Sequence, residues 1–428
     1  MIEQPLALPC GKTLPNRLCK AAMTEGLATA AGVPTEALNR LYGLWSDGGA
    51  GILLSGNVQI DRHHLERPGN VIVDAEPNAE MRHALQAWAA AGTRNGNEFW
   101  VQISHGGRQT PKAVNAHPKA PSAVKLGLPG GQFGEPIAMT ESDIEAVITG
   151  FARCARVMCE SGFTGVQIHA AHGYLLSEFL SPRSNQRGDS WGGSLENRSR
   201  LLLEVVKAVR AEVGNDFPIS VKLNSADFQR GGFDFSESLE VARWLQGASV
   251  DLIEVSGGTY EQPRLLNLDG IEPVAEQAVA ASTRAREAYF VDFAQAMRKQ
   301  LDIPLMVTGG LRRLDAMEDT LASGSADVIG IGRPMCVLTD APHQLLKGLS
   351  ELPRYENDLS LLPRWLKSLE RLKLVRTVAG FATQFWYYEQ IAQLGERGKV
   401  QPEMSVLAAT KSQRAREALL LKERSTSA

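Results

Sequence analysis

The segment Gly165-Val-Gln-Ile-His169-Ala-Ala-His172-Gly-Tyr174 passes from a short apolar run directly into a cluster of polar side chains. The segments Gln102-Ile-Ser-His105 and Gly330-Ile-Gly332-Arg333 also follow short apolar runs. Such a boundary is typical of a buried strand that opens into a loop. In a barrel of alternating strands and helices, these strand ends form the catalytic rim. The three segments therefore predict one rim with imidazoles, a phenol, an amide and a glycine-rich loop.

Eight apolar runs bounded by turn residues occur along the chain, which is the number of strands that a closed parallel barrel needs. Helical patterns alternate with these runs, for example over 140–160 behind the N-cap residue Thr140 and over 194–213. Alternating strands and helices favour parallel pairing. We therefore predict an α/β fold, a TIM (β/α)8 barrel whose strands lie at 17–23, 51–58, 99–104, 165–169, 219–223, 252–255, 305–308 and 328–331.

The two ends of the chain carry patterns of their own. Residues 6–16 have turn chemistry between two apolar arms, which predicts an N-terminal hairpin that caps the bottom of the barrel. After Glu351 the chain is helix-prone and contains the aromatic cluster Phe385-Trp-Tyr-Tyr388. We predict a barrel domain over 1–350 and a C-terminal helical extension over 351–428 with flexible last residues. The aromatic cluster is expected to pack at a subunit contact of a homo-oligomer.

Two connections are too long for plain loops, namely 106–139 after the third strand and 257–287 after the sixth. Long connections on the catalytic side of a barrel are typical of lids and substrate walls. We therefore expect these two segments to determine the substrate.

Composition limits the partners of this chain. The formal net charge is -3, and its lysines and arginines are dispersed, which argues against nucleic acid. No apolar run reaches membrane-spanning length and the N-terminus lacks a signal pattern, so a cytoplasmic location with a small-molecule substrate is expected. The five cysteines are scattered without a Cys-x-x-Cys pair, which argues against zinc and iron–sulfur clusters.

Glycine-rich segments end both of the last two predicted strands. Gly309 and Gly310 follow the seventh strand, and Gly332 and Arg333 follow the eighth. Exposed backbone N–H groups at such ends bind phosphate, although single glycines there also serve simply as tight turns. Because both of the last two strands end this way, where barrels place phosphates, we favour a phosphate site.

Two polar side chains end the third and fifth strands. Gln102 can both donate to and accept from an imide edge, and Lys222 can neutralise negative charge on a reduced ring. Lys222 could equally act as a Schiff-base amine, which keeps an aldolase open.

His169, His172 and Tyr174 place two imidazoles and a phenol within one turn of chain. Imidazoles bind a carbonyl or phenolate oxygen, and a phenol delivers a proton. A metal site would need further ligands such as Glu178 and others from several strand ends. The first strand ends in Ala21-Ala-Met-Thr24, which offers only a hydroxyl, so no metal is predicted.

From the hairpin to about Leu346, the chain resembles the old yellow enzyme family of FMN-dependent oxidoreductases. Many separate motifs agree in order, which makes the resemblance specific. They are Leu14-Pro-Asn-Arg17, Gln102-Ile-Ser-His-Gly-Gly-Arg108, His169-Ala-Ala-His-Gly-Tyr174, Glu178-Phe-Leu-Ser-Pro182, Ser184-Asn185, Trp191-Gly-Gly-Ser-Leu-Glu-Asn-Arg198 and Gly330-Ile-Gly-Arg333.

The resemblance implies roles for particular residues. His169 and His172 match the pair that binds the acceptor's carbonyl oxygen, and Tyr174 matches the proton donor. Lys222 replaces the arginine of many members, and Thr24 stands where one branch has a redox-tuning cysteine. The implied FMN contacts are Ala21, Ala22, Met23 and Thr24 around the ring, Gly56 behind it, Gln102 at its pyrimidine edge, Lys222 facing N1, and Gly309, Gly310, Gly332 and Arg333 at the phosphate.

The implied activity is an FMN-dependent ene-reductase. NADH or NADPH would reduce FMN, which would then reduce the C=C bond of an α,β-unsaturated carbonyl compound, with Tyr174 supplying a proton. Three alternatives stay open: a different acceptor (quinone, nitro compound, oxygen) or a dehydrogenase direction, a Schiff-base aldolase using Lys222, and a flavin-binding protein whose main role is association.

Overall fold

Eight parallel strands close into a barrel in this computed structural model, which describes residues 1–128, 130–261, 289–362 and 373–427. Each strand pairs with the next, and the last pairs with the first where Ile329 lies opposite Leu18. The predicted barrel is therefore confirmed. Its strands are β1 (Leu18–Lys20), β2 (Ile52–Gln59), β3 (Glu98–Ser104), β4 (Gly165–Ala170), β5 (Ile219–Asn224), β6 (Leu252–Ser256), β7 (Leu305–Thr308) and β8 (Val328–Ile331).

Helices surround the strands and begin at polar caps. The Thr140 side chain accepts from the Asp143 N–H while the Asp143 carboxylate accepts from the Thr140 N–H, a capping box that starts the predicted third helix. Ser194 caps the other predicted helix. The described helices are α1 (Glu36–Asp47), α2 (Ala79–Thr93), α3 (Glu141–Glu160), α4 (Leu175–Leu180), α5 (Leu195–Val213), α6 (Phe235–Gly247), α7 (Tyr289–Arg298), α8 (Leu314–Ala322), α9 (Ala341–Leu346), α10 (Lys373–Arg397) and α11 (Val406–Ser427).

The predicted N-terminal hairpin is present. Leu6–Ala7 pairs antiparallel with Thr13–Leu14. Leu14 is fully buried in a cluster with barrel side chains such as Trp100 and Met306. Burial of these apolar groups closes the bottom of the barrel and leaves its opposite end open.

The two long connections differ in what the structure describes. Within 106–139, Lys119–Ala120 pairs in parallel with Ile137–Ala138 and gives the connection its own short sheet. In the second connection, residues 257–261 are described, whereas 262–287 lie outside the described residues.

The C-terminal helices pack on the barrel of their own chain. Trp386 on α10 is 1% exposed and donates through Nε1 to the Met404 carbonyl oxygen at 2.8 Å. Arg40 on α1 donates to the Gly395 carbonyl oxygen at 2.6 Å. The aromatic cluster predicted for a subunit contact is thus largely covered within the chain, because α10 reaches across the barrel mouth to α1. The division at 350/351 stays a prediction.

At the C-terminus, α11 continues to Ser427, and Arg424 donates to the Arg62 carbonyl oxygen at 2.8 Å. The flexibility of the last residues stays a prediction. None of the helices in the described ranges is both long and apolar enough to cross a membrane.

Candidate active site

The carboxyl ends of the strands open into one cleft. All the predicted site residues except Gly56 line it. They are Ala21, Ala22, Met23, Thr24, Gln102, His169, His172, Tyr174, Lys222, Gly309, Gly310, Gly332 and Arg333. Parallel strands bring their carboxyl ends to the same rim, which is why residues far apart in sequence meet here.

Gly56 lies behind the cleft wall. Its backbone N–H donates to Glu25 Oε1 at 2.8 Å, and a β-carbon at this position would lie 2.6 Å from the Met23 carbonyl oxygen. The glycine therefore lets the segment after β1 pack closely on β2, and it supports the wall rather than forming its surface.

His169 and His172 form a continuous hydrogen-bonded pair. His169 Nδ1 lies 3.1 Å from Asn57 Oδ1, His169 Nε2 lies 3.2 Å from His172 Nδ1, and His172 Nε2 lies 2.7 Å from Ser256 Oγ. Burial is the largest cause that holds the pKa of both imidazoles well below the usual range, so both are neutral at pH 7.

The order of these contacts assigns the imidazole protons. An amide oxygen only accepts, so His169 Nδ1 carries the hydrogen that it donates to Asn57. His169 Nε2 then accepts from His172 Nδ1, and His172 Nε2 accepts from the Ser256 hydroxyl. The one hydrogen on the His172 ring is thus the Nδ1 hydrogen, which is donated to His169.

His172 also has an unusual backbone. Its φ of 62° lies in the left-handed region, which non-glycine residues rarely adopt. Its N–H donates to Asn224 Oδ1 at 3.1 Å, which helps hold this conformation. Backbone strain of this kind clusters at functional sites.

Tyr174 is a buried phenol beside the imidazoles. Its ring centroid lies 4.7 Å from that of His169, and its hydroxyl lies 2.7 Å from the Tyr260 hydroxyl. Burial raises the pKa of Tyr174 well above the usual phenol range, so the hydroxyl keeps its proton at neutral pH. Tyr174 can therefore donate a proton. Tyr260 lies in the connection after β6, and the sequence analysis did not identify it.

Buried polar groups form the floor of the cleft. Gln102 Nε2 donates to Gln167 Oε1 at 2.6 Å, and Gln167 Nε2 donates to Glu254 Oε2 at 2.9 Å. Lys222 Nζ forms an ion pair with Glu254 Oε1 at 3.0 Å. Lys222 Nζ is thus engaged by a buried carboxylate, whereas a Schiff-base amine must be free to attack a carbonyl carbon. This contact opposes the aldolase alternative.

The other end of the cleft fits an anion. Gly309 and Gly310 have φ of 110° and 81°, which only glycine adopts readily, and a β-carbon on Gly332 would meet no atom within 4 Å. Arg333 and Arg312 lie 3.4 and 3.3 Å from Glu356. Two guanidinium groups thus share one carboxylate.

An unpartnered group strengthens the fit to a phosphate-bearing cofactor. The buried Thr308 Oγ1 on the cleft wall has no hydrogen-bond partner among the residues that the structure describes. Donors from two strand ends, two arginines and this hydroxyl suit the phosphate and ribityl chain of FMN. Sequence analysis missed Arg312, although it lies only two residues after Gly310.

Glu66 is a carboxyl group that lies among charged residues in the sequence, next to Arg67. In the structure it lines the cleft, and its Oε2 accepts from Thr24 Oγ1 at 3.0 Å and from Asn57 Nδ2 at 2.6 Å. Burial raises its pKa. The charged neighbours of Glu66 in the sequence did not indicate that it lies in the cleft, because its hydrogen bonds come from Thr24, which is distant in the sequence, and from Asn57, which lies in β2.

The described start of the second long connection, residues 257–260, lines the cleft as expected, and helix α10 supplies a further wall that the sequence analysis did not predict. Gln384, Tyr387, Tyr388 and Ile391 line the cleft. None of the described residues of 106–139 does so. The first long connection therefore contributes indirectly, where the Phe133 ring packs 6.2 Å from that of Tyr260.

His105 lies outside the cleft, in a cluster with Asp61 and His64. His64 Nε2 accepts from the Lys119 N–H at 2.8 Å, and His105 Nδ1 accepts from the Gly107 N–H at 3.1 Å. One nitrogen of each ring is therefore engaged with a backbone N–H, and the other nitrogens lie 2.7 Å (His64) and 3.9 Å (His105) from Asp61 Oδ2.

Glu178, the further ligand that a metal would have needed, also lies outside the cleft. Its Oε1 accepts from the Arg108 N–H at 2.8 Å, and burial raises its pKa from 4.5 to about 8. Between pH 4.5 and about pH 8, Glu178 therefore keeps its proton in the native state and has lost it in the unfolded state. The stability that this proton contributes is present below pH 4.5 and is lost as the pH rises through about 8.

We expect Glu178→Gln to flatten this pH dependence, because the amide keeps the hydrogen bond and cannot ionise. The free energy of unfolding of the variant should rise relative to wild type between pH 5 and pH 8, measured by urea denaturation. Equal pH slopes for the two proteins would contradict the assignment.

Comparison with known proteins identifies the family. The sequence profile of the NADH:flavin oxidoreductase / NADH oxidase family matches residues 2–351. NADH-dependent flavin oxidoreductase iliE from Neonectria sp. is 41% identical over 350 residues, which cover 78% of this chain and 45% of that protein. Its namesake from Hypocrea jecorina is 38% identical over 351 residues, which cover 78% and 86%. This chain thus spans less than half of the first relative and most of the second.

Among solved structures, the old yellow enzyme homologue from Zymomonas mobilis matches with a TM-score of 0.68 and 25% identity, over 85% of this chain and 97% of that one. The barrel, the cleft and the profile match agree with one another. The chain belongs to the NADH:flavin oxidoreductase / NADH oxidase family, which confirms the expectation of an FMN-dependent NAD(P)H oxidoreductase on a (β/α)8 barrel.

Proposed function

We propose that this chain is an ene-reductase, which uses NADH or NADPH to reduce the C=C bond of an α,β-unsaturated carbonyl compound. The observation that carries the proposal is the pair of neutral imidazoles, His169 and His172, beside the protonated phenol of Tyr174. A carbonyl oxygen and a carbon that needs a proton are the two partners that such a trio suits.

FMN binding rests on the two ends of the cleft. Gly309, Gly310, Gly332 and Arg333 would hold its phosphate, while Gln102 and Lys222 would contact its ring from the floor. Ala22, Met23 and Thr24 would line the ring, with Gly56 supporting them from behind. When bound, FMN supplies the hydride chemistry by which electrons pass from the nicotinamide to the β-carbon of the acceptor.

The imidazole pair binds and polarises the acceptor. The His172 Nδ1 hydrogen, which points to His169, becomes available to an acceptor oxygen when that oxygen enters between the rings. Negative charge that develops on the oxygen is then stabilised by a preorganised donor in a buried site, an effect worth about 3 kcal/mol. Ser256 and Asn57 hold the far sides of the two rings and fix their orientation.

Tyr174 completes the reaction by proton transfer. Its hydroxyl proton goes to the α-carbon of the acceptor, and Tyr260, 2.7 Å away, is the neighbouring hydroxyl that can return a proton to it. Burial keeps Tyr174 protonated until that step.

Anaerobic stopped-flow measurements on the flavin-loaded enzyme test the proposal. NADH or NADPH should bleach the flavin absorbance, and an enone such as 2-cyclohexenone should restore it with formation of the saturated ketone. Reoxidation only by quinones, nitro compounds or oxygen would favour those acceptors instead. A flavin that neither nicotinamide bleaches would favour the association role, and borohydride trapping of a substrate on Lys222 would favour an aldolase.

A cytoplasmic location and a homo-oligomeric state are further predictions from the sequence. Light scattering of the purified protein would test the second.

Gly309→Ala should weaken FMN binding. At φ of 110° a side chain is strained by about 1–2 kcal/mol, and relaxation would turn a backbone N–H away from the phosphate. Titration of the apoprotein with FMN, followed by quenching of flavin fluorescence, should show roughly tenfold weaker binding. Gly324→Ala is the matched control, since Gly324 also has positive φ but lies outside the cleft. If Gly309→Ala binds FMN as tightly as Gly324→Ala does, Gly309 is not part of a phosphate site.

A further inference from the structure

Helix α10 reaches the cleft from outside the region that defines the family. The family match ends at residue 351, whereas α10 begins at Lys373. Tyr388 on this helix nevertheless lines the cleft together with Tyr174 and Glu66. The part of the chain that the family does not account for therefore contributes directly to the active site.

Tyr388 is held in place from behind. The Arg67 guanidinium carbon lies 4.5 Å from the centroid of the Tyr388 ring, a cation–π contact. Arg67 is itself fixed by α11, where Gln413 Oε1 and Glu417 Oε1 each lie 2.9 Å from its Nη2. The C-terminal helices thus set the position of the Tyr388 ring.

Tyr388 shares the lining of the cleft with the groups assigned to acceptor chemistry. Tyr174, Tyr260 and Glu66 line the same cleft. Tyr387, the preceding residue, points to the anion-binding end and donates to Glu356 Oε2 at 3.0 Å. Consecutive residues of α10 therefore serve different ends of the cleft.

We propose that Tyr388 contacts the acceptor and selects planar, conjugated molecules by stacking. The Arg67 guanidinium lies over the ring, and Tyr388 itself lines the cleft, so the acceptor's flat π-system would pack against the part of the ring that borders the cleft. Tyr174 and Tyr260, whose rings are 5.8 Å apart in an edge-on arrangement, add two aromatic surfaces nearby. Stacked aromatic pairs contribute beyond their buried area, which distinguishes a flat conjugated acceptor from a puckered aliphatic one. The inference rests on the proposed acceptor reduction.

The test compares two acceptors in the flavin-loaded enzyme. Cinnamaldehyde is planar and conjugated, and 2-cyclohexenone is small and puckered. Tyr388→Leu, which keeps an apolar side chain but removes the ring, should raise KM for cinnamaldehyde roughly tenfold and change that for cyclohexenone much less. Tyr388→Phe keeps the ring and should keep the preference for cinnamaldehyde over cyclohexenone. Equal KM changes for the two acceptors in Tyr388→Leu would overturn the proposal.

Phe385→Leu is the matched control on the same helix. Phe385 lies outside the cleft, packs on Arg414 of α11 at 5.4 Å, and touches the edge of Tyr388 with centroids 6.1 Å apart. Loosened packing of α10 would therefore affect this variant as well. If Phe385→Leu reproduces the loss of discrimination, the effect belongs to the helix as a whole and the Tyr388 assignment is wrong.

A binding measurement separates this inference from the proposed function. Equilibrium titration with 4-hydroxybenzaldehyde, a planar phenol, needs no turnover. If the enzyme reduces no enone, the ene-reductase proposal fails, and a roughly tenfold rise in the Kd of 4-hydroxybenzaldehyde in Tyr388→Leu would still support stacking on Tyr388. An unchanged Kd in that variant would reject the contact whatever the reaction is.

Discussion

Tyr174→Phe is expected to slow reoxidation of the reduced flavin by an enone by about 10²–10⁴-fold, the usual contribution of a positioned general acid. The variant loses the proton that the α-carbon needs but keeps the ring that packs 4.7 Å from His169. Flavin reduction by NADH or NADPH should keep its rate, because that half-reaction takes no proton from Tyr174. Anaerobic stopped-flow spectroscopy measures the two half-reactions separately.

Tyr260→Phe is the matched control for this prediction. It removes the hydroxyl 2.7 Å from that of Tyr174 and leaves the Tyr174 proton in place. Its effect on reoxidation should be smaller than that of Tyr174→Phe. Equal losses in both half-reactions of Tyr174→Phe would show that the residue supports the cleft and is not the proton donor.

His172→Ala should slow enone reduction by about 10²–10³-fold, as expected when a donor to a developing oxyanion is removed. The same change should weaken phenolic ligands and abolish any charge-transfer band that they give with the flavin. The reason is that the His172 Nδ1 hydrogen, which donates to His169 in the free site, is the imidazole hydrogen that would turn to an acceptor oxygen, while Ser256 holds the other nitrogen of the ring. Ligand titration and stopped-flow reoxidation measure the two effects.

Ser256→Ala serves as the control for His172. It removes the hydroxyl at 2.7 Å from the far side of the ring but leaves both imidazoles in the cleft. A modest loss is expected there. If His172→Ala binds phenols as tightly as wild type, the oxygen-binding role of the pair is wrong.

Residues directly after a strand were predictable in position. His169, Gln102, Lys222 and Gly309 lie at or next to strand ends, and a parallel barrel brings all such ends to one rim whatever the loops do. The barrel, the capping hairpin and most of the cleft residues follow from this local pattern. Gly56 shows the limit of this local pattern. Strand β2 continues past Gly56, and the Gly56 backbone supports the cleft wall from behind.

Residues whose positions depend on distant contacts were not predictable. Glu66 looks solvated among charged neighbours, and it enters the cleft because Thr24 and Asn57 donate to its carboxylate. The sequence led us to expect a subunit contact for the aromatic cluster on α10. No local pattern relates Tyr388 to β4, the strand before Tyr174, which ends at Ala170.

The amino-acid sequence by itself determined the barrel and the chemical groups on its rim, because alternation of apolar runs and helices is local and closure then follows from parallel pairing. Tertiary structure alone decided which wall faces the acceptor: α10 folds back over the mouth, and Arg67 and α11 hold Tyr388 there. The physical reason is that strand-end positions are set by hydrogen-bond register over a few residues, whereas the place of α10 depends on packing between segments that are distant along the chain.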